Sequence, residues 1–226
     1  MQQFLNTQTT FEDARFVLFG APLDLTSSYR RGSRFGPGAI RQESLYMETF
    51  SLRTGLDSSR VKVADIGDVK DLGEVEKALR NIEFVSRRIH ESGKVNVMLG
   101  GEHTVTLGAL RAMKPDYVVD LDAHLDLRER LLGLELSHAT FMRRGLEEIG
   151  CKLMILGCRA LSREERIFAS MNDRSIKVVT AAELNRGGLE GWGEELKREL
   201  LEASSLYLSI DMDVVDPAMA PAVGNP

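Results

Sequence analysis

Short apolar runs alternate with stretches of helical periodicity along most of the chain, and this alternation limits the fold more than any single motif. Arg15-Phe-Val-Leu-Phe-Gly20, Val61-Lys-Val-Ala-Asp-Ile-Gly67 and Val95-Asn-Val-Met-Leu-Gly-Gly101 read as strands ending in glycine. Tyr117–Leu121, Leu153-Met-Ile-Leu-Gly157, Ile176–Val179 and Leu206–Ile210 continue the series. Between them, Pro37 suits the first turn of a helix. Val75, Leu79, Ile82, Val85 and Ile89 recur at helical spacing over Glu74–Glu91, with Gly93 as a stop. Thr104 suits the cap of a helix to Met113. Ser137 or His138 opens one to Ile149, and Gly150 ends it. Ser162-x-x-Glu165 has the form of a capping box. A further helix is expected around Glu194–Leu201. Near-continuous apolar strands separated by helices predict an α/β domain with a mostly parallel sheet and helices on both faces.

The chain has 226 residues, 43% hydrophobic and 28% charged, which suits one large domain over 1–226. A net charge of −5 favours neither nucleic acid nor an acidic membrane as partner. No apolar run reaches the roughly 20 residues of a membrane helix, and the first residues lack the basic-then-apolar pattern of a signal peptide. Cys151 and Cys158 lack the close pairing of a zinc or redox motif. Two reduced thiols in or near a strand fit a cytoplasmic location.

Chemistry gathers where the strands end, which is where open α/β sheets place their sites. Gly100-Gly-Glu-His103, Asp122-x-His124-x-Asp126 and Asp211-x-Asp213 each follow an apolar run. In extended chain, Asp122, His124 and Asp126 would share one face. A lone Asp-x-Asp is more commonly a capping or loop feature, and a lone His103 more commonly structural. Together the segments bring carboxylates that could not all stay ionised without a positive partner. With oxygen outnumbering nitrogen and no thiolate, the set disfavours structural zinc and favours a harder ion, Mn²⁺ first. Six ligands exceed what one catalytic ion needs, so two ions sharing carboxylates and activating a water fit better. His138, twelve residues beyond Asp126, suits a proton shuttle; a helix-end role accounts for its spacing equally well. His90, late in the long helix, belongs on its surface.

Gly100-Gly-Glu-His-Thr, Asp120-Leu-Asp-Ala-His-Leu-Asp-Leu-Arg, Ser137-His-Ala-Thr and Ser209-Ile-Asp-Met-Asp-Val-Val-Asp-Pro-Ala together resemble the ureohydrolases, the arginase–agmatinase family. Gly20-Ala-Pro-Leu-Asp and Arg31-Gly-Ser-Arg-Phe-Gly-Pro-Gly-Ala-Ile-Arg41 resemble that family's N-terminal region. The resemblance implies a three-layer α/β/α fold and a binuclear Mn²⁺ centre. His103, Asp122, Asp126 and Asp211 would bind one ion, and Asp122, His124, Asp211 and Asp213 the other. A bridging hydroxide oriented by Asp126 would attack the guanidinium carbon, and His138 would assist proton transfer. Trimers or hexamers are common in the family.

The loop Leu127–Leu136 lacks the Asn, Ser and Thr side chains with which arginases read an α-amino acid, so the segment looks more like agmatinases. Agmatine is then the expected substrate, giving putrescine and urea. The alternatives are another ureohydrolase (arginase, guanidinobutyrase or formiminoglutamase) or an inactive metal-binding scaffold. Glu129 or Glu135 could meet the distal ammonium of agmatine, although solvated loop charges are the plainer reading. The family continues beyond Gly224-Asn-Pro226 with a last strand, helices and a Glu that contacts the guanidinium. The chain is therefore expected to be part of a longer protein.

Overall fold

The alternation becomes seven strands and six α-helices among the described residues of the computed structural model, which are Phe4, Leu5, Thr7 and residues 9–223. Gly224-Asn-Pro226 lies outside them. The chain divides into two compact units, Met1–Met113 and Lys114–Pro226, each with its own sheet. Every strand pairing is parallel, as near-continuous apolar strands imply.

The first unit comprises β1 (Phe16–Ala21), α1 (Gly36–Ser44), β2 (Val63–Asp68), α2 (Val75–Glu91), β3 (Val95–Gly100) and α3 (Val105–Met113). The strand order is β2-β1-β3. Val17, Phe19 and Ala21 alternate along β1 and join Ala78, Ile82 and Ile89 of α2 and Val105 of α3 in one core. Each fully buried aliphatic side chain contributes about 1.5–3 kcal/mol relative to exposure. Helices α2 and α3 meet closely at Gly108, where a Cβ would stand 2.8 Å from the Leu79 carbonyl oxygen. The opposite face of β1 is covered by α1: a Cβ on Gly20 would lie 3.0 Å from Cβ of Pro37 and nearer still to the Asp68 carboxylate. Pro37 occupies the first turn of α1. His90 is exposed, as its place on α2 implies.

Arg41 fastens α1 to the sheet from within. Its Nε and Nη2 donate to Asp65 at 2.7 and 2.9 Å, and its Nη1 donates to Asp68 at 2.6 Å. Burial alone would raise the Asp65 carboxyl. The Arg41 hydrogen bond and the Gly67 and Phe4 N–H groups outweigh it and hold the carboxyl below its ordinary value.

The second unit comprises β4 (Tyr117–Leu121), α4 (Phe141–Ile149), β5 (Lys152–Cys158), α5 (Arg163–Met171), β6 (Ile176–Thr180), α6 (Ala181–Leu200) and β7 (Leu206–Ile210), with strand order β6-β5-β4-β7. Tyr117, Val119, Met154, Leu156 and Val179 turn one face of this sheet toward Leu184, Trp192, Leu196 and Leu200 of α6. Leu146 of α4 and Phe168 of α5 border one hollow with Ile176, whose parity places them on the other face. Cys151 and Cys158 are free and buried; burial pushes both thiols up, Cys158 to about 11.

Two helix boundaries differ from the sequence expectation. Helix α4 starts at Phe141 rather than at Ser137 or His138, because a tight turn comes first: the Thr140 N–H donates to the Ser137 carbonyl and the Ser137 N–H to Thr140 Oγ1. Helix α6 starts thirteen residues before Glu194, at a complete capping box formed by Thr180 and Glu183. Its axis breaks at Gly188, where φ is 70° and ψ 155°. The hydroxyl of Thr104, just before α3, donates to Glu102 Oε1 at 2.7 Å. No helix among the described residues is long and apolar enough to cross a membrane.

Candidate metal centre

The carboxyl ends of β4 and β7 lie side by side, and the acidic residues emerge there. The last pair in register is Leu121 with Ile210. One step on, the Asp211 N–H donates to the Leu121 carbonyl at 2.8 Å and the Asp122 N–H to the Leu156 carbonyl at 3.1 Å. Both chains then turn in the same way. Asp122 Oδ1 accepts the His124 N–H at 2.6 Å, and Asp211 Oδ1 accepts the Asp213 N–H at 2.8 Å. Asp213 Oδ1 in turn accepts the Ala123 N–H at 3.1 Å, which laces the two turns together. Arg159 holds the pair from behind: its N–H donates to the Ala123 carbonyl at 2.8 Å and its Nη2 to the Asp213 carbonyl at 2.5 Å.

This corrects the extended-chain reason for grouping Asp122, His124 and Asp126. The strand stops at Leu121, the chain turns at Asp122, and Asp126 has a left-handed backbone with φ 52°. Ala123, Leu125 and Leu127 bury their side chains, so the apolar residues anchor the loop while the polar ones are directed by hydrogen bonds. Asp122, His124 and Asp213 do converge, with ligand atoms within 4.8 Å of one another. Asp211 caps the short 3₁₀ turn Met212–Val214 that carries Asp213, and its charge acts on the Asp213 carboxyl.

His124 Nδ1 is 2.9 Å from Asp213 Oδ2 and 3.5 Å from Asp122 Oδ1. Hydrogen bonds to Asp122 and then Asp213 push the imidazole up to about 10, against burial. The Asp213 carboxyl is raised, first by burial and then by Asp211 and Asp122, with the His124 hydrogen bond opposing. Three acids around one imidazole make a site of excess negative charge, and a divalent cation of oxygen and nitrogen preference suits it chemically.

The remaining expected residues lie on tethered loops. The Asp126 carbonyl accepts the Arg143 N–H at 3.4 Å, and the next N–H, of Leu127, donates to Glu165 Oε1 at 3.2 Å. The Arg128 N–H donates to the Ala139 carbonyl at 3.1 Å, which ties the half-buried His138 to the strand of residues leaving Asp126. His103 belongs to the first unit, in the turn after β3. There a Cβ on Gly101 would stand 2.1 Å from the Leu23 carbonyl oxygen. The buried Glu102 beside it accepts four hydrogen bonds, from the Leu25 and Thr26 N–H groups and the Thr26 and Thr104 hydroxyls. Glu129 and Glu135 are exposed and pair with Arg143 and Arg130. Motif reasoning does not find Arg159 or the contact of Glu165 with the Leu127 N–H. The capping box is the one signal that draws attention to Glu165.

The model of the Arginase family matches residues 14–226. The chain is 38% identical over 218 residues to the N(1)-aminopropylagmatine ureohydrolase of Thermococcus kodakarensis, covering 95% of this chain and 73% of that protein. It is also 38% identical over 225 residues to the guanidinobutyrase of Pseudomonas aeruginosa, covering 95% and 69%. The crystal structure of the agmatine ureohydrolase of Thermoplasma volcanium superposes with a TM-score of 0.90 at 35% identity, covering all of this chain and 76% of that one. The α/β architecture, the clustered acidic residues and these matches agree, and the chain belongs to the arginase family.

Proposed function

We propose that this chain hydrolyses a guanidino compound, agmatine first, to urea and an amine at a centre of two Mn²⁺ ions. The observation that supports the reading is the pair of matched turns begun by Asp122 and Asp211 at the ends of β4 and β7, with ligating atoms of Asp122, His124 and Asp213 within 4.8 Å of one another, in a chain of this family. By their motifs, His103, Asp122, Asp126 and Asp211 would hold one ion, and Asp122, His124, Asp211 and Asp213 the other. Bound there, the ions supply a hydroxide nucleophile at neutral pH. Asp126 would accept a hydrogen bond from that nucleophile and direct it at the guanidinium carbon. His138 carries a proton to the departing amine. Both units are read as parts of one ureohydrolase domain, supported by a family match spanning 14–226. Buried free thiols fit a cytoplasmic protein, and a homo-oligomer is expected.

Agmatine leads because relatives at 35% and 38% identity carry agmatine and aminopropylagmatine in their names. The guanidinobutyrase relative supports a second reading, an acid-ended substrate of similar length. The test is a substrate panel with Mn²⁺: agmatine, N1-aminopropylagmatine, arginine, 4-guanidinobutyrate and formiminoglutamate, with urea (formamide for the last) as readout. Agmatine should give the highest kcat/KM. His124→Ala and Asp213→Ala should each lower bound Mn²⁺ and abolish turnover. Silence on every substrate by protein carrying stoichiometric Mn²⁺ would sink the hydrolase reading in favour of an inactive scaffold. Full metal and activity in both variants would refute the ligand assignment.

A further inference from the structure

The carboxylate of Glu165 accepts hydrogen bonds for two tasks and also lies 3.6 Å from Arg128 Nε. Oε2 completes the capping box of α5, accepting the Ser162 N–H and hydroxyl, each at 2.8 Å. Oε1 points away from that box and accepts the Leu127 N–H, 38 residues earlier in the chain, at 3.2 Å. Helix capping needs only the first. Glu165 and Leu127 are both buried, so the Leu127 N–H has no access to water in place of this partner. The peptide so held is the one that follows Asp126, whose backbone sits in the left-handed region at φ 52° without being glycine. Such a conformation persists only where its surroundings enforce it.

We propose that Glu165 is a positioning residue for Asp126. From the start of α5 it locks the strained peptide that aims the Asp126 carboxylate at the metal centre. The inference rests on the metal reading above. It assigns Glu165 no contact with substrate.

The test compares Glu165→Ala with Ser162→Ala in the full chain. Both weaken the cap of α5, so both should lower Tm by a few degrees. Only Glu165→Ala releases Leu127. It should weaken Mn²⁺ binding, measured by calorimetry, about tenfold, as loss of partners behind metal ligands does, and should alter the Mn²⁺ EPR spectrum. Ser162→Ala should bind within about twofold of wild type and keep the wild-type spectrum. Should Glu165→Ala not fold, Glu165→Gln decides: it keeps the shape and one acceptor, and should still bind Mn²⁺ more weakly than Ser162→Ala. Wild-type affinity in the Glu165 variants, or losses in both series that merely track Tm, would overturn the proposal. A wild-type protein that binds no Mn²⁺ would remove the metal reading itself, and this inference with it.

Discussion

Two clusters of acids among the described residues are balanced differently. Under the first sheet, Asp65 and Asp68 face Arg41, whose side chain is 2% exposed and whose planar fork meets Asp65 through two nitrogens. The counter-charge is built in, and the Asp65 carboxyl stays low despite burial. At the end of the second sheet, Asp122 and Asp213 flank His124, and burial, followed by the charges of Asp211 and Asp122, pushes the Asp213 carboxyl up. Identical residue types are therefore structural where the chain supplies a permanent cation. They become a site where acids outnumber the positive charge packed among them.

The largest effect should come from breaking the balanced group. Arg41→Met leaves Asp65 buried beside Asp68 without its guanidinium, and should lower unfolding free energy by about 3–5 kcal/mol in denaturant titration. The same group sets the acid response. A carboxyl held below its ordinary 3.8 contributes stability that is complete above that value and lost as pH falls through the lower folded value. Melting temperature measured from pH 7 to 3 should therefore drop at the acid end in wild type. In Arg41→Met the fall should begin at higher pH.

The unbalanced group should answer to metal. Mn²⁺ at about a hundred times its Kd should stabilise wild type by about 2.7 kcal/mol, and Asp213→Asn should lose most of that gain. Without metal the same variant should unfold within about 1 kcal/mol of wild type. It removes one crowded acid, while its amide oxygen can still accept the Ala123 N–H. If Asp213→Asn without metal were as damaging as Arg41→Met, the two groups would not differ in kind.

Legibility in the sequence follows the range of the interactions. Tyr117–Leu121 and Leu206–Ile210 are read to the residue because strand pattern and burial are local. Helix α6 is largely missed because Gly187, Gly188, Gly191 and Gly193 dilute its periodicity, although Thr180-x-x-Glu183 marks its start. The ligand types and their places after strands are readable from spacing. The reason they converge is not, since the turn at Asp122 and the left-handed Asp126 replace the extended run. Glu165, Arg159 and the grip of Glu102 on Leu25 and Thr26 depend on partners distant in sequence, which leave no periodic trace.

The paired turns at Asp122 and Asp211 carry one more consequence. Each carboxylate has committed one oxygen to its own backbone two residues on. Rotation about those side chains is thus quenched by folding itself, so a cation arriving there has little freedom left to remove. The entropy of ordering those two carboxylates is spent by the fold, and what would separate one ion from another there is fit to a cradle already set.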